Sequence, residues 1–395
     1  MISYGPPDRR TWVPERTVFL TVAGSHAYGT STEGSDHDLR GAVIPPRRYL
    51  YGLERYEQSD KPACVEWYDF STHDFTDPDI TVWNLRKFVR LAAQGNPNVI
   101  ELLFTAPRHW IISTPYFRTF VDKRDWFLSK VLRYRFGGYA LQQLKRIRNH
   151  KRWLDNPPDH QPTRAEFGID FQSEKMPGDQ LMAARSIIGS QVENWKVDET
   201  ELPPELRIKL KSEIERMAWK TWEQLGIEMG YSHPIRDPEE GLRVSELLEK
   251  SAGRHLGFDS NFVEYLQKEK EYQRRLQDWH SYNGWLKNRN PARAELEKNF
   301  GYDTKHAMHL VRLLRMAREI LEGKGVIVDR PDAEELKAIR IDGIWKYEDL
   351  IDWAEKEERS LDALMEKSPL PHKADTDRIS VMLTEVTERF VRDKG

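Results

Sequence analysis

AGSHAYGTSTEGSDHDLRGAVI, residues 23–44, is the stretch whose reading decides the fold. A β-branched apolar run, VFLTVA at 18–23, leads into it and stops at Gly24-Ser25, the pattern of a buried strand ending in a tight turn. After ten intervening residues Asp36-x-Asp38 opens a second apolar run, DLRGAVI at 38–44, which Pro45-Pro46 closes. Residues 64–75 alternate in character and read as a further strand, and DITVW at 79–83 as another. From Asn84 the period lengthens. Leu85, Phe88, Val89, Leu91 and Ala92 recur at helical spacing up to the stop Gly95-Asn96-Pro97. VIELLF then makes a short apolar element, in which Glu101 is expected to be buried and satisfied by Lys87 or Arg86.

The residue types in this stretch point to one kind of chemistry. At a strand-to-helix turn, Gly24 lets backbone approach an anion while the Ser25 hydroxyl and turn N–H groups supply donors. Side chains at i and i+2 of a strand share a face, so Asp36 and Asp38 converge. Two carboxylates so placed repel unless a cation lies between them, and a hard divalent ion, Mg²⁺ or Mn²⁺, suits oxygen ligands. Such a site can hold two ions about 4 Å apart. A third carboxylate is then needed, and Asp79 is chosen, with Asp77 and Asp74 as competitors. Arg40 can pair with an aspartate or touch a phosphate; an ion pair is preferred.

Beyond residue 114 the pattern is helical, broken at Asn156-Pro157-Pro158, Leu202-Pro203-Pro204 and Asn290-Pro291. Residues 159–290 carry no recognisable motif. The expected fold class is an α/β core, residues 1–113, followed by a mostly helical region, residues 114–395. The apolar share of 38% and charged share of 32% fit a folded core with a polar, helical surface. The net charge is −3, yet residues 118–152 hold eleven Lys/Arg against Asp122 and Asp125, a local asymmetry that favours a polyanionic partner. Cys64 is the sole cysteine, which excludes internal disulfides and Cys-based zinc sites. No run approaches the ~18 apolar residues of a membrane span, and MISYGPPDRR has no signal-peptide core. A soluble cytoplasmic protein is expected; its oligomeric state is left open.

The motif order resembles the nucleotidyltransferase superfamily that includes DNA polymerase β, with Gly24-Ser25 and Asp36-x-Asp38 matching its signature. More closely, the chain resembles the RNA-repair-pathway DNA polymerase β family of nucleotidyltransferases. Residues 24–41, 85–104, 136–150 and 301–321 carry the likeness, which continues weakly through 330–340 and 366–371. It implies an α/β (α+β) core with a small mixed sheet, and a metal-dependent transfer of NMP from an NTP, such as ATP, to a hydroxyl acceptor, with release of pyrophosphate. It also implies nucleotide binding by Gly24 and Ser25 and metal binding by Asp36 and Asp38, with Asp79 completing the set. The basic block and the family's description favour an RNA 3′ end such as tRNA as acceptor. Two other readings stay open: nucleotidylation of a protein or small molecule, and a non-catalytic NTP- or RNA-binding module in a defence or toxin–antitoxin pair. Retention of both Asp36 and Asp38 speaks against the latter.

Two helical segments supply secondary candidates. Residues 308–321 have apolar positions at 310, 313, 314, 317 and 321. Lys305, His309 and Arg312 form a polar stripe at i, i+4 and i+7, either facing the cleft to bind triphosphate or RNA backbone, or simply solvated. His306 lies near the helix start, within reach of a phosphate. Residues 134–153 interleave aromatic and basic side chains, a recipe for stacking bases while meeting phosphates; alternatively Tyr139, Leu141, Leu144 and Ile147 are core and the cations solvated.

Overall fold

The computed structural model describes residues 12–60, 68, 70, 75, 78–169 and 260–394. The expectations for Asp74, Asp77 and Cys64, for most of the strand at 64–75 and for 170–259 lie outside the described residues. Five strands among those described form one mixed sheet, in the order β3-β4-β2-β1-β5. Helix α1 (Val13–Arg16) leads into β1 (Thr17–Ala23), which passes directly into α2 (Gly24–Tyr28). Strand β2 (Asp38–Val43), α3 (Arg47–Leu50), β3 (Gln58–Asp60) and β4 (Asp79–Asn84) follow. Then come α4 (Leu85–Ala93), α5 (Pro97–Ile100), a 3-10 turn (Glu101–Phe104), β5 (Trp110–Ser113) and α6 (Pro115–Asp122). The remaining elements are helices: α7 (Val131–Asp155), α8 (Ser260–Lys287), α9 (Pro291–Phe300), α10 (Thr304–Leu321), α11 (Ala333–Ile341), α12 (Tyr347–Lys367) and α13 (Thr376–Lys394). Among the described residues no helix is long and apolar enough to cross a membrane.

Alternation along the strands gives the sheet two unlike faces. Leu20, Leu39, Val43, Ile80 and Val82 point to one side and join Val13 and Tyr56 in an apolar cluster. Each such fully buried side chain stabilises the fold by roughly 1.5–3 kcal/mol. The intervening residues point the other way. In register across β1, β2 and β4 they are Ala23, Asp38 and Asp79, then Thr21, Arg40 and Thr81. Farther along, Phe19 of this face stacks on Phe117 of α6, with ring centroids 3.9 Å apart. The face is therefore closed by aromatics at one end and polar at the other.

The chain divides into two compact units, residues 1–143 with 304–395, and residues 144–303. In the first, α10 packs on α11 and α12, and α13 on α4 and α6. Helix α10 buries Leu310, Leu313, Leu314, Ala317 and Leu321, the positions its periodicity predicts. Fully buried Arg133 is neutralised by Glu358 (2.7 Å) and Asp362 (2.9 Å), so the basic run of α7 is partly structural. In the second unit, Trp153 packs with Tyr282 and Trp285 at centroid distances of 5.9 and 5.5 Å. There Leu144 and Ile147 are buried, Arg152 pairs with Asp278, and Lys145 and Arg146 are exposed with no acidic partner among the described residues.

Candidate active site

Topology gathers the acids at one end of the sheet. Strands β1 and β2 are antiparallel and β2 and β4 parallel, so the end of β1 lies beside the starts of β2 and β4. Antiparallel β3 brings its last residue, Asp60, opposite Thr81 near the same end. Asp38 and Asp79 are register partners across β2 and β4, and adjacent strands lie about 4.8 Å apart. Asp36 is exposed in the coil that precedes β2 rather than in the strand itself. The loop carrying it is held by the stacked rings of His26 and His37, 4.1 Å apart, and by the Thr32 N–H donating to Ser35 Oγ (2.9 Å).

Gly24 is the corner of this arrangement. Its φ of +61° lies in the left-handed region that glycine favours, and a Cβ at this position would overlap Asp38 Oδ2. The glycine thus leaves space for a carboxylate oxygen directly beneath the start of α2. Gly24→Ala combines left-handed strain of about 1–2 kcal/mol with displacement of that carboxylate. We expect a stability loss of about 2 kcal/mol or more in urea titration; a loss under half a kcal/mol would show that the corner is loose.

Arg40 spans the two register-paired aspartates. Its Nη2 donates to Asp38 Oδ1 (2.8 Å) and Asp79 Oδ2 (2.9 Å), and its Nη1 to the carbonyls of Asp79 (2.6 Å) and Leu39 (3.0 Å). Partial burial pushes the Asp38 carboxyl above its usual range. Arg40 opposes that shift, Asp79 and Asp36 reinforce it, and Lys305 opposes it in turn. Lys305, at the start of α10, is therefore placed where its charge acts on Asp38.

The other members of the α10 stripe lie at increasing depth. His309 is half-buried; burial first, then Arg312, Lys305, His306 and Arg340, hold its imidazole well below the ordinary histidine pKa, so it is neutral at pH 7. His306 Nδ1 is 2.7 Å from Gln143 Oε1. Arg312 is interior, neither cleft surface nor solvated face. It donates to Glu101 Oε1 (3.0 Å), and its guanidinium lies over the Tyr28 ring at 3.9 Å. The Tyr28 hydroxyl donates to Glu101 Oε2. Glu101 is buried as expected, but its partners are Arg312 and Tyr28. Lys87 instead reaches Gln58 Oε1 (2.7 Å) and Glu57 (3.6 Å), on the β3 side of α4.

A cleft of about 410 Å³ opens at this corner, and its walls include Gly24, Asp38, Arg40, Asp60, Trp83 and Glu101. Sequence reasoning did not reach Asp60, Trp83 or Tyr28. The only signal for Trp83 was its even spacing from Asp79, which sets it on the same face. The structure brings together Gly24, Asp38, Asp79, Arg40 and the charge of Lys305, with Ser25 following Gly24 in α2. Asp38 and Asp79 stand in register beside the Gly24 corner, and the charge of exposed Asp36 acts on Asp38; carboxylate oxygens of this kind suit a hard divalent cation.

Comparison with known proteins bears on the family. Residues 9–154 match the RNA repair pathway DNA polymerase beta family, the family that the sequence motifs resemble. An uncharacterized 38.9 kDa protein in the nrdC-mobD intergenic region of Enterobacteria phage T4 is 34% identical over 93 residues, 23% of this chain and 26% of that one. The uncharacterized protein YcgL of Bacillus subtilis (strain 168) is 30% identical over 88 residues, 22% of this chain and 30% of that one. The chain thus spans less than a third of the length of either relative. No solved structure matches it.

Proposed function

We propose, starting from the DNA polymerase β-type match over residues 9–154, that the chain is a metal-dependent nucleotidyltransferase acting in RNA repair. It moves an NMP from an NTP, ATP among them, to the 3′ hydroxyl of an RNA such as tRNA. The observation that carries this reading is the register pairing of Asp38 with Asp79 beside a glycine that leaves room for a carboxylate oxygen.

In this reading Asp36, Asp38 and Asp79 hold Mg²⁺ or Mn²⁺. The bound cation supplies a hard positive charge that neutralises the triphosphate and steadies the departing pyrophosphate. Gly24 and Ser25 hold the β- and γ-phosphates through the N–H groups of the turn and the Ser25 hydroxyl. Lys305 adds positive charge beside Asp38, neutral His309 offers a hydrogen-bonding nitrogen on the same helix, and His306 adds its ring near the helix start. Arg312 acts from beneath them. Through Glu101 and Tyr28 it ties α10 to α2, and so holds the nucleotide-binding groups in place. Asp79 orients the acceptor hydroxyl and takes its proton on the oxygen that Arg40 does not hold. The acceptor oxygen bonds to the α-phosphorus as the bond to the β-phosphate's bridging oxygen breaks, and pyrophosphate leaves with that electron pair. The helical region beyond residue 113 supplies the RNA contacts, Lys145 and Arg146 among them.

Incubation of the full chain with labelled NTPs, Mg²⁺ and total RNA is expected to yield RNA labelled at its 3′ end. Labelled protein or labelled small molecules instead would move the acceptor to those classes. No product from any NTP, or equal product from Asp36→Ala, would overturn the enzyme reading.

A further inference from the structure

We propose that Arg40 is a resident counter-cation that holds Asp38 and Asp79 together and restrains how tightly a divalent ion binds there before nucleotide arrives. This rests on the reading of the corner as a metal site. Two aspartates in register on neighbouring strands repel one another if both are ionised. Arg40 removes that repulsion from within the sheet. Its i+2 position places it on the face of Asp38, one row further in, and Nη2 bridges one oxygen of each acid. Nη1 is meanwhile fixed to the backbone carbonyls of Leu39 and Asp79, so the guanidinium is part of the strand architecture and not a swinging arm. Its side chain is only 20% exposed.

The bridge divides the oxygens of Asp38. Oδ1 accepts from Arg40, whereas Oδ2 is turned to the Gly24 corner. An incoming dication therefore meets a usable oxygen and, a few ångströms away, a fixed positive charge. The charge disfavours the ion when it comes alone. A triphosphate compensates it, so ion and nucleotide are taken up together. The acids are thus kept arranged without a tightly bound metal.

Calorimetric titration of Mn²⁺ into the nucleotide-free full chain tests this. Arg40→Gln, which removes the charge, is expected to bind Mn²⁺ about tenfold more tightly than wild type, as loss of one nearby like charge implies. It should also melt at a lower temperature without metal and gain more from added Mn²⁺. Arg40→Lys keeps the charge and loses the fork; its Mn²⁺ affinity should stay within about threefold of wild type. Arg40→Ala gives a second neutral variant should Gln impair folding. Equal or weaker binding by the neutral variants, with wild-type binding intact, overturns the inference and leaves the transferase reading standing. Mn²⁺ binding by neither wild type nor neutral variants sinks both. Binding by the neutral variants alone would mean that Arg40 closes the site outright, the strongest form of the proposal.

Discussion

Asp38→Asn is expected to reduce nucleotidyl transfer by about 10³-fold or more while leaving the fold as stable as before, or slightly more so. The activity loss follows from the place of Asp38 in the proposed site. Metal-held charge supplies several kcal/mol of transition-state stabilisation, and each 1.4 kcal/mol is worth a factor of ten. The stability expectation follows from the environment. Burial raises the Asp38 carboxyl above its ordinary range. A carboxyl raised on folding is ionised at the expense of the native state at every pH above its unfolded value. A neutral side chain of the same shape removes that cost, although it also gives up the contact with Arg40 (2.8 Å), which is partly exposed and worth little. Product formation and melting temperature of the variant decide the matter. Activity within tenfold of wild type would remove Asp38 from the catalytic set. Lost activity accompanied by a large fall in melting temperature would make the residue structural.

The second large effect belongs to stability. Arg312→Met strands Glu101 in the interior, because the acid is only 3% exposed and its other partner, Tyr28, donates to one oxygen alone. Removing one member of a buried ion pair costs about 3–5 kcal/mol, the penalty of leaving an uncompensated charge. Adding Glu101→Gln should recover part of this, with a coupling energy of about 1–3 kcal/mol between the two sites. Urea unfolding of the four proteins in the cycle measures it. A cost below 1 kcal/mol for Arg312→Met, or strict additivity, would show that the pair is dispensable. The same variant bears on function, since α10 carries Lys305 as well as Arg312.

What the sequence disclosed follows physical lines. Residues 18–23, 38–44 and 79–83 announced their strands because apolar, β-branched residues recur with the pleat, and the observed bounds differ by one residue. The pairing of Arg40 with aspartate was legible for the same reason, since i and i+2 share a face. Gln58–Asp60 was silent: three polar residues have no pattern of their own, and the strand exists through its ladder to β4. Trp110–Ser113 is likewise short and completes the sheet through its pairing with β1. The partner of Glu101 could not be read locally either. Lys87 and Arg86 are near in sequence, but Lys87 turns to β3, while the cation that reaches Glu101 is 211 residues away. On α10, period correctly grouped Lys305, His309 and Arg312, but depth, which differs at each, depends on which neighbours cover the helix.

The parallel ladder between Asp38–Val43 and Asp79–Asn84 has an evolutionary corollary. Because the spacing of the two acids is gauged by backbone hydrogen bonds, the chain that links Val43 to Asp79 can lengthen or shorten without altering it. One residue inserted within either strand would do the opposite, exchanging Asp38 for Leu39 or Asp79 for Ile80 on the cleft side. Length changes are thus expected to be tolerated in the turns of the connector, while both strands keep a fixed count.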